Sequence, residues 1–279
     1  MNLEELKGKA GDIRVDIVKM LAEAGSGHPG GSLSAAEIVT ALYFGGIMNH
    51  DANDPAMPNR DRFILSKGHA APVLYAALAE AGYFPVEELS TLRKLHTRLQ
   101  GHPDCRKLPG VEASTGSLGQ GLSIAAGVAC GVKLGGNDQP SVFVLLGDGE
   151  CQEGQVWEAA MFGAHRNLDN LVAIVDHNRL QIDGCIDDVC SPEDLGDKFR
   201  SFGWQVFVCD GNDMESVLAT LESAKEARGG APKAIIAETT KGKGVSFMED
   251  QAGWHGKAPN AEQTAQAIEE LTGKEVSNG

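Results

Sequence analysis

Aromatic side chains are scarce in this 279-residue sequence, with Phe, Tyr and Trp together making up 5% of it. Positive charge is also in short supply: 24 Lys and Arg stand against 39 Asp and Glu, for a formal net charge of −15. So acidic a chain excludes non-specific binding to nucleic acid and attraction to anionic membranes, while leaving room for a locally basic pocket that takes a phosphorylated substrate. No apolar run is long enough to span a bilayer. The amino-terminal stretch from Met1 to Leu21 alternates charged with apolar residues and lacks the apolar core of a signal peptide. A cytoplasmic location is expected. The six cysteines (105, 130, 151, 185, 190 and 209) form no C-x-x-C pair and no zinc spacing. Several lie among apolar residues, so reduced thiols are expected rather than disulfides.

What is present is enough apolar material, 42% hydrophobic residues, for a substantial core, and a clear periodicity. Leu6, Ile13, Ile17, Val18 and Leu21 share one face of a helix predicted over 3–24. A Gly-rich loop at 24–31 follows, after which Ser34 is expected to cap a second helix with Glu37 in the capping-box position. Arg62 to Ser66 reads as a short strand, and helices are predicted over 71–81, 86–96 and 118–134. From 141 the pattern alternates. Strands are predicted at Val142–Leu146, Leu171–Val175, Trp204–Cys209 and Ala234–Glu238, with helices near 154–167, 193–202 and 213–228. A Gly-rich, Lys-containing loop at 241–257 leads to a last helix near 260–272. The alternation predicts an α/β fold, a parallel sheet with helices on both faces, and the whole of 1–279 reads as a single domain.

Parallel sheets bind ligands beyond the carboxyl ends of their strands. Two of the predicted strands end in Gly147-Asp148-Gly149 and in Asp176-His177-Asn178. Asp148 and Asn178 thus offer a carboxylate and an amide oxygen at one sheet edge, a donor set for a hard cation that shares its shell with phosphate oxygens. Glycines allow the backbone to approach a phosphate, and the helix expected near Glu153 directs free N–H groups to the same place. His177 is a poor ligand for such a cation, which selects oxygen. Four of the eight histidines sit in Gly- or Pro-rich loops: His28, His69, His102 and His255. Together they suggest a polar pocket, whereas His50, His96 and His165 read as structural or surface residues. The run Thr115-Gly116-Ser117-Leu118-Gly119-Gln120-Gly121 fits a backbone cradle before a helix and a close-packing device equally well.

Taken in order, SGHPG at 26–30, DRF-x-LS-x-GH at 61–69, GHP at 101–103, TG-x-LGQG at 115–121, GDG at 147–149 and the Asn178 to Gly184 run resemble the transketolase family over nearly the whole chain. The part resembled is the N-terminal, diphosphate-binding one, and the nearest look-alikes are N-terminal subunits of split transketolases. The resemblance implies thiamine diphosphate as cofactor with Mg²⁺ or Ca²⁺, ligated by Asp148, Asn178 and the backbone carbonyl of Leu180. Gly116, Ser117 and Leu118 would contact the aminopyrimidine, and His69, Gly149 and His255 would approach the diphosphate. His28, His102 and His255 would line the substrate channel, making these three and His69 the catalytic histidines. Glu153 corresponds to a family glutamate between the two active sites of the dimer. His177 and Trp254 depart from the commoner family residues. The cofactor-activating glutamate belongs to the following pyrimidine-binding domain, so the resemblance also implies a partner, a C-terminal subunit carrying that domain, in a heterotetramer with two copies of each chain. The implied reaction moves a two-carbon ketol unit from a ketose to an aldose, with sugar phosphates of the pentose phosphate pathway as default substrates. Alternatives are a 2-oxo acid dehydrogenase first component, a 1-deoxyxylulose-phosphate-synthase-like enzyme and a non-catalytic cofactor-binding half.

Overall fold

The structure, a computed structural model, describes residues 1–137 and 139–273. Its strands are β1 (Arg62–Leu65), β2 (Val142–Gly147), β3 (Leu171–His177), β4 (Leu180–Gln181), β5 (Gly184–Cys185), β6 (Gln205–Asp210) and β7 (Lys233–Glu238). The helices are α1 (Leu3–Ala24), α2 (Gly30–Leu33), α3 (Ala36–Phe44), α4 (Ala71–Glu80), α5 (Gln120–Leu134), α6 (Gly154–His165), α7 (Ile186–Cys190), α8 (Leu195–Ser201), α9 (Met214–Glu226) and α10 (Ala261–Thr272). Five strands form a sheet in the order β1-β2-β3-β7-β6, every neighbouring pair parallel. β4 and β5 make a separate antiparallel hairpin.

Successive side chains of a strand point to opposite faces, and here each set finds its own core. Phe143, Leu145, Val172, Ile174, Ile235 and Ala237 pack with α1, α3, α4 and α9. Val142, Val144, Leu146, Leu171, Ala173, Val175, Ala234 and Ile236 pack with α5, α6 and α8 on the other face. Helices therefore cover both faces of a parallel sheet, as the alternation predicts. Among the described residues no helix is long and apolar enough to cross a membrane. All six cysteines are free thiols.

Two local expectations are overturned. Ser34 does not cap α3: Ala35 holds that position without a side-chain hydrogen bond. The Ser34 hydroxyl instead donates to Asp176 Oδ2 at 2.6 Å, and Glu37 takes both terminal nitrogens of Arg14, each at 2.6 Å. A buried carboxylate and a buried guanidinium need charge-assisted partners more than a helix end needs a cap, so the tertiary bonds win. The helix expected over 86–96 is a 3-10 turn over Val86–Thr91. Beyond it Arg93 and His96 take φ of 59° and 66°, which no right-handed helix admits. Leu89 and Leu92 reach the core while Leu95 is 86% exposed, so the predicted apolar face has nothing to pack against along its second half.

Candidate active site

Because β2 and β3 are neighbours, with Gly147 opposite Asp176 in register, their carboxyl ends bring Asp148 and Asn178 to one edge. Both are buried, at 2% and 8% exposure. Asp148 Oδ1 accepts the Gly149 N–H at 2.8 Å and Oδ2 the Arg179 N–H at 2.5 Å. Asn178 accepts the Leu180 N–H on its amide oxygen at 3.2 Å and donates its amide N–H to Asp176 Oδ2 at 3.0 Å. Burial and the neighbouring Asp176 charge push the Asp148 carboxyl up to about 6, against the pull of those backbone donors. No Lys, Arg or His among the described residues lies within ion-pairing distance of it. The third oxygen, the Leu180 carbonyl, already accepts an ammonium, Lys241 Nζ at 2.9 Å. A buried uncompensated carboxylate, an amide oxygen and a carbonyl that attracts a cation are a fitting donor set for a hard metal ion. No His/Cys/Asp/Glu cluster of metal-binding type occurs among the described residues, so a site here depends on amide and carbonyl oxygens.

Beneath this edge lies an ion pair that the motifs did not reveal. Lys67, 1% exposed, reaches Asp176, 0% exposed, at 2.5 Å and also donates to the Gly31 carbonyl at 2.7 Å. Asp176 further accepts from Ser34, Asn178 and Thr239. Burial alone would raise its carboxyl, but Lys67 and these hydroxyl donors hold it below the ordinary value. Removing one member of a buried pair leaves the other charge without compensation. Lys67→Met should therefore lower stability by about 3–5 kcal/mol, read as a shifted urea midpoint at unchanged slope. A midpoint equal to that of the unsubstituted chain would contradict this account of the pair.

Above the pair, three loops deliver His28, His69 and His255 into contact. Their ring centroids are 5.3 Å (His28–His69), 5.4 Å (His28–His255) and 5.0 Å (His69–His255) apart. Burial, then neighbouring cations and imidazoles, lowers all three: His28 and His255 to about 4 and His69 well below its usual value. They are neutral imidazoles at pH 7, each able to donate and to accept. His28 Nδ1 is buried and finds no hydrogen-bond partner among the described residues. His255 Nδ1 lies 3.1 Å from Lys241 Nζ. A Cβ on Gly31 would sit 3.6 Å from His69 Nε2 and 3.7 Å from Lys67 Nζ, and one on Gly30 would meet the Lys241 side chain at 3.0 Å, so these glycines form the floor of a cradle. The three histidines, Gly116, Leu118, Asp148, Gly149, Glu153, Asn178 and Leu180 all line one cavity of about 330 Å³.

Two predicted residues stand apart from it. Ser117 is exposed, and His102 is exposed with its ring packed on Gly116, where a Cβ would meet Cδ2 at 2.9 Å. The 115–121 run combines both of the roles weighed for it. Gly116 and Leu118 face the cavity, while a Cβ on Gly121 would fall 2.3 Å from Ser66 Oγ. Glu150, which sequence reasoning passed over, ties this run to the GDG turn. Its buried carboxylate accepts from Ser66 Oγ at 2.5 Å, Gly119 N–H at 2.8 Å and Gly147 N–H at 3.1 Å. That turn is 3-10 over Gly149–Gln152, and α6 begins one residue after Glu153.

Residues 7–276 match the family model described as "Transketolase, thiamine diphosphate binding domain". The chain belongs to the transketolase family. It is 44% identical over 268 residues to a 6-deoxy-6-sulfo-D-fructose transketolase subunit of Clostridium sp. (strain MSTE9), covering 96% of each chain. It is also 44% identical over 272 residues to an apulose-4-phosphate transketolase subunit of Actinobacillus succinogenes, covering 97% of each. The transketolase of Campylobacter jejuni superposes with a TM-score of 0.90 at 34% identity over 97% of this chain. The chain spans 43% of the length of that structure. In this transketolase chain motif reading missed Lys67, Glu150 and Lys241, which line the cavity, and Asp176, which lies buried beneath it. Three of the four lie inside or beside a quoted motif, and the signal available was a charged residue within an otherwise apolar or Gly-rich run.

Proposed function

We propose that this chain is the N-terminal, diphosphate-binding subunit of a two-component transketolase, which moves a two-carbon ketol unit from a ketose to an aldose in the cytoplasm. The observation that carries this reading is the convergence of Asp148, Asn178 and the Leu180 carbonyl with three neutral imidazoles on one cavity. Asp148, Asn178 and Leu180 would hold Mg²⁺ or Ca²⁺, and Gly149, His69 and His255 would lie along the diphosphate. Gly116, Ser117 and Leu118 would meet the aminopyrimidine. Bound there, thiamine diphosphate supplies a carbon nucleophile and an electron sink for breaking and forming the C–C bond. His28, His102 and His255 bind sugar hydroxyls and carry protons to and from the carbonyl and hydroxyl oxygens. His69 orients the diphosphate end.

The two equal-length relatives are named as subunits, which supports a partner chain. We assign to that partner the pyrimidine-binding domain and the glutamate that activates the cofactor, in an assembly of two copies of each chain with Glu153 near the junction between sites. An apolar strip on α5 and α6 is available for it: Leu134 is 76%, Met161 59% and Phe162 43% exposed. The named substrates of both relatives are sugars with an anionic group, a sulfonate in one and a phosphate in the other, and we extend the same class to this chain. The six free thiols suit a reducing compartment. The test is calorimetric titration of thiamine diphosphate into the chain with Mg²⁺, with Ca²⁺ and with EDTA. Cation-dependent binding is expected, and binding indifferent to the cation would overturn the site.

A further inference from the structure

Glu150 has no role in the reading above, although its carboxylate is buried, at 2% exposure, and makes no ion pair among the described residues, Lys67 being committed to Asp176. A carboxylate so placed is costly unless hydrogen bonds compensate it. Three donors do so, and they come from three parts of the fold. Oε1 accepts from Ser66 Oγ just past β1 at 2.5 Å and from the Gly119 N–H at the start of α5 at 2.8 Å. Oε2 accepts from the Gly147 N–H at the end of β2 at 3.1 Å. Gly119 takes a left-handed backbone, φ 85°, and has no side chain with which to cap α5, so this bond is what fixes that end of the 115–119 run. The other end is fixed as well, because Thr115 Oγ1 donates to the Leu65 carbonyl of β1 at 2.6 Å. Gly116, Ser117 and Leu118 are thus strung between two anchors. The Glu150 end has no slack: a Cβ on Gly119 would fall 2.8 Å from Glu153 Cβ, and one on Gly121 would fall 2.4 Å from Ser66 Cβ.

We propose that Glu150 is a positioning residue that holds the Gly116–Leu118 cradle in register with the Gly147-Asp148-Gly149 turn, so that one cofactor is gripped at both ends. The inference rests on the transketolase reading, which assigns the aminopyrimidine to the cradle and the diphosphate to the turn. Both oxygens of Glu150 are spent on the chain, so it acts on the cofactor through the groups it holds. A carboxylate suits this work because it only accepts, and does so through two oxygens. A Gln carboxamide has one oxygen and one NH₂ group. It can satisfy the Ser66 and Gly119 donors or the Gly147 donor, but on the other side a donor then faces a donor. Alanine removes the acceptor from all three.

Calorimetry on the complex with the pyrimidine-domain subunit tests this by dividing the ligand. Thiamine diphosphate and inorganic diphosphate, each with Mg²⁺, are titrated into the wild type, Glu150→Gln and Glu150→Ala. Inorganic diphosphate needs the turn alone, whereas thiamine diphosphate needs turn and cradle in register. Glu150→Ala should therefore weaken thiamine diphosphate at least about tenfold more than inorganic diphosphate, with Glu150→Gln between it and the wild type, since buried donors left without an acceptor are costly. Equal losses on the two ligands would reduce Glu150 to a purely structural part, and unchanged affinities would deny it any; either result overturns the proposal. Should Glu150→Ala fail to fold, the same ratio in Glu150→Gln decides. A wild-type complex that gains no affinity from the thiamine portion would count against the transketolase reading instead. The clamp is then read in the ligand-free chain by amide hydrogen exchange, which at Gly119 and Gly147 together should be at least about tenfold faster in Glu150→Ala. Unchanged exchange at both amides would overturn the proposal.

Discussion

Asp148→Ala and Asn178→Ala should each weaken thiamine diphosphate binding in the presence of cation by about 100-fold or more, and bring it to the level seen in EDTA. Each substitution removes one of the two side chains proposed to ligate the cation at the sheet edge. Neither should unfold the chain. Asp148 is a buried carboxylate pushed up to about 6 by burial and by Asp176, so in the cation-free chain its ionisation opposes folding. The sign follows from linkage: a carboxyl whose folded value is raised favours the folded state below its unfolded value and loses that contribution as pH rises through about 6. Removing it therefore spares the free chain a penalty at neutral pH while destroying the cation site. Calorimetry at matched cation concentrations, with a thermal melt of each variant, separates the two effects. Unchanged affinity in both variants would remove the metal assignment.

Alanine in place of His28, His102 or His255 should slow ketol transfer in the assembled enzyme by about 10²–10⁴-fold, with cofactor affinity altered much less. His28 and His255 lie within a triangle of rings whose centroids are 5.0–5.4 Å apart, held neutral by burial and by Lys241 and Arg93, on the wall of the cavity. His102 packs on Gly116 at the outer edge, so its contribution should be to the substrate rather than to the diphosphate. The control is His96, exposed on a left-handed turn, whose alanine variant should transfer at nearly the normal rate. A larger loss from His96→Ala than from all three would show that the channel runs elsewhere.

Much of this was legible in the sequence because period and motif are local. Unbroken apolar runs ending in Gly147-Asp148-Gly149 and in Asp176-His177-Asn178 predict buried parallel strands with ligands at their carboxyl ends, and the two strands prove to be neighbours. Glycine beside histidine in four separate loops suggests a shared polar pocket, and His28, His69 and His255 do meet there, while His102 lies outside the cavity lining with its ring on Gly116. What escaped were bonds between residues far apart in the chain. Ser34 carries the local signature of a cap, but Asp176, brought in by β3, takes its hydroxyl. The helix pattern over 86–96 failed because Leu95 has no core to bury it. Lys67 and Lys241 look like surface lysines in sequence, and only the fold shows one neutralising Asp176 and the other seated on the Leu180 carbonyl.

The most direct test of the account is ketol transfer by this polypeptide with and without its partner. Purified alone, with saturating thiamine diphosphate, Mg²⁺, a phosphorylated ketose donor and an aldose acceptor, the chain should show no transfer above background, because the proposed function assigns the cation and diphosphate contacts to this chain and the cofactor-activating glutamate to the partner. Addition of the pyrimidine-domain subunit should restore turnover and tight cofactor binding together, with an apparent mass corresponding to two copies of each chain. Robust turnover by the 279-residue chain alone, or no turnover after a stable complex with that subunit has formed, would contradict it.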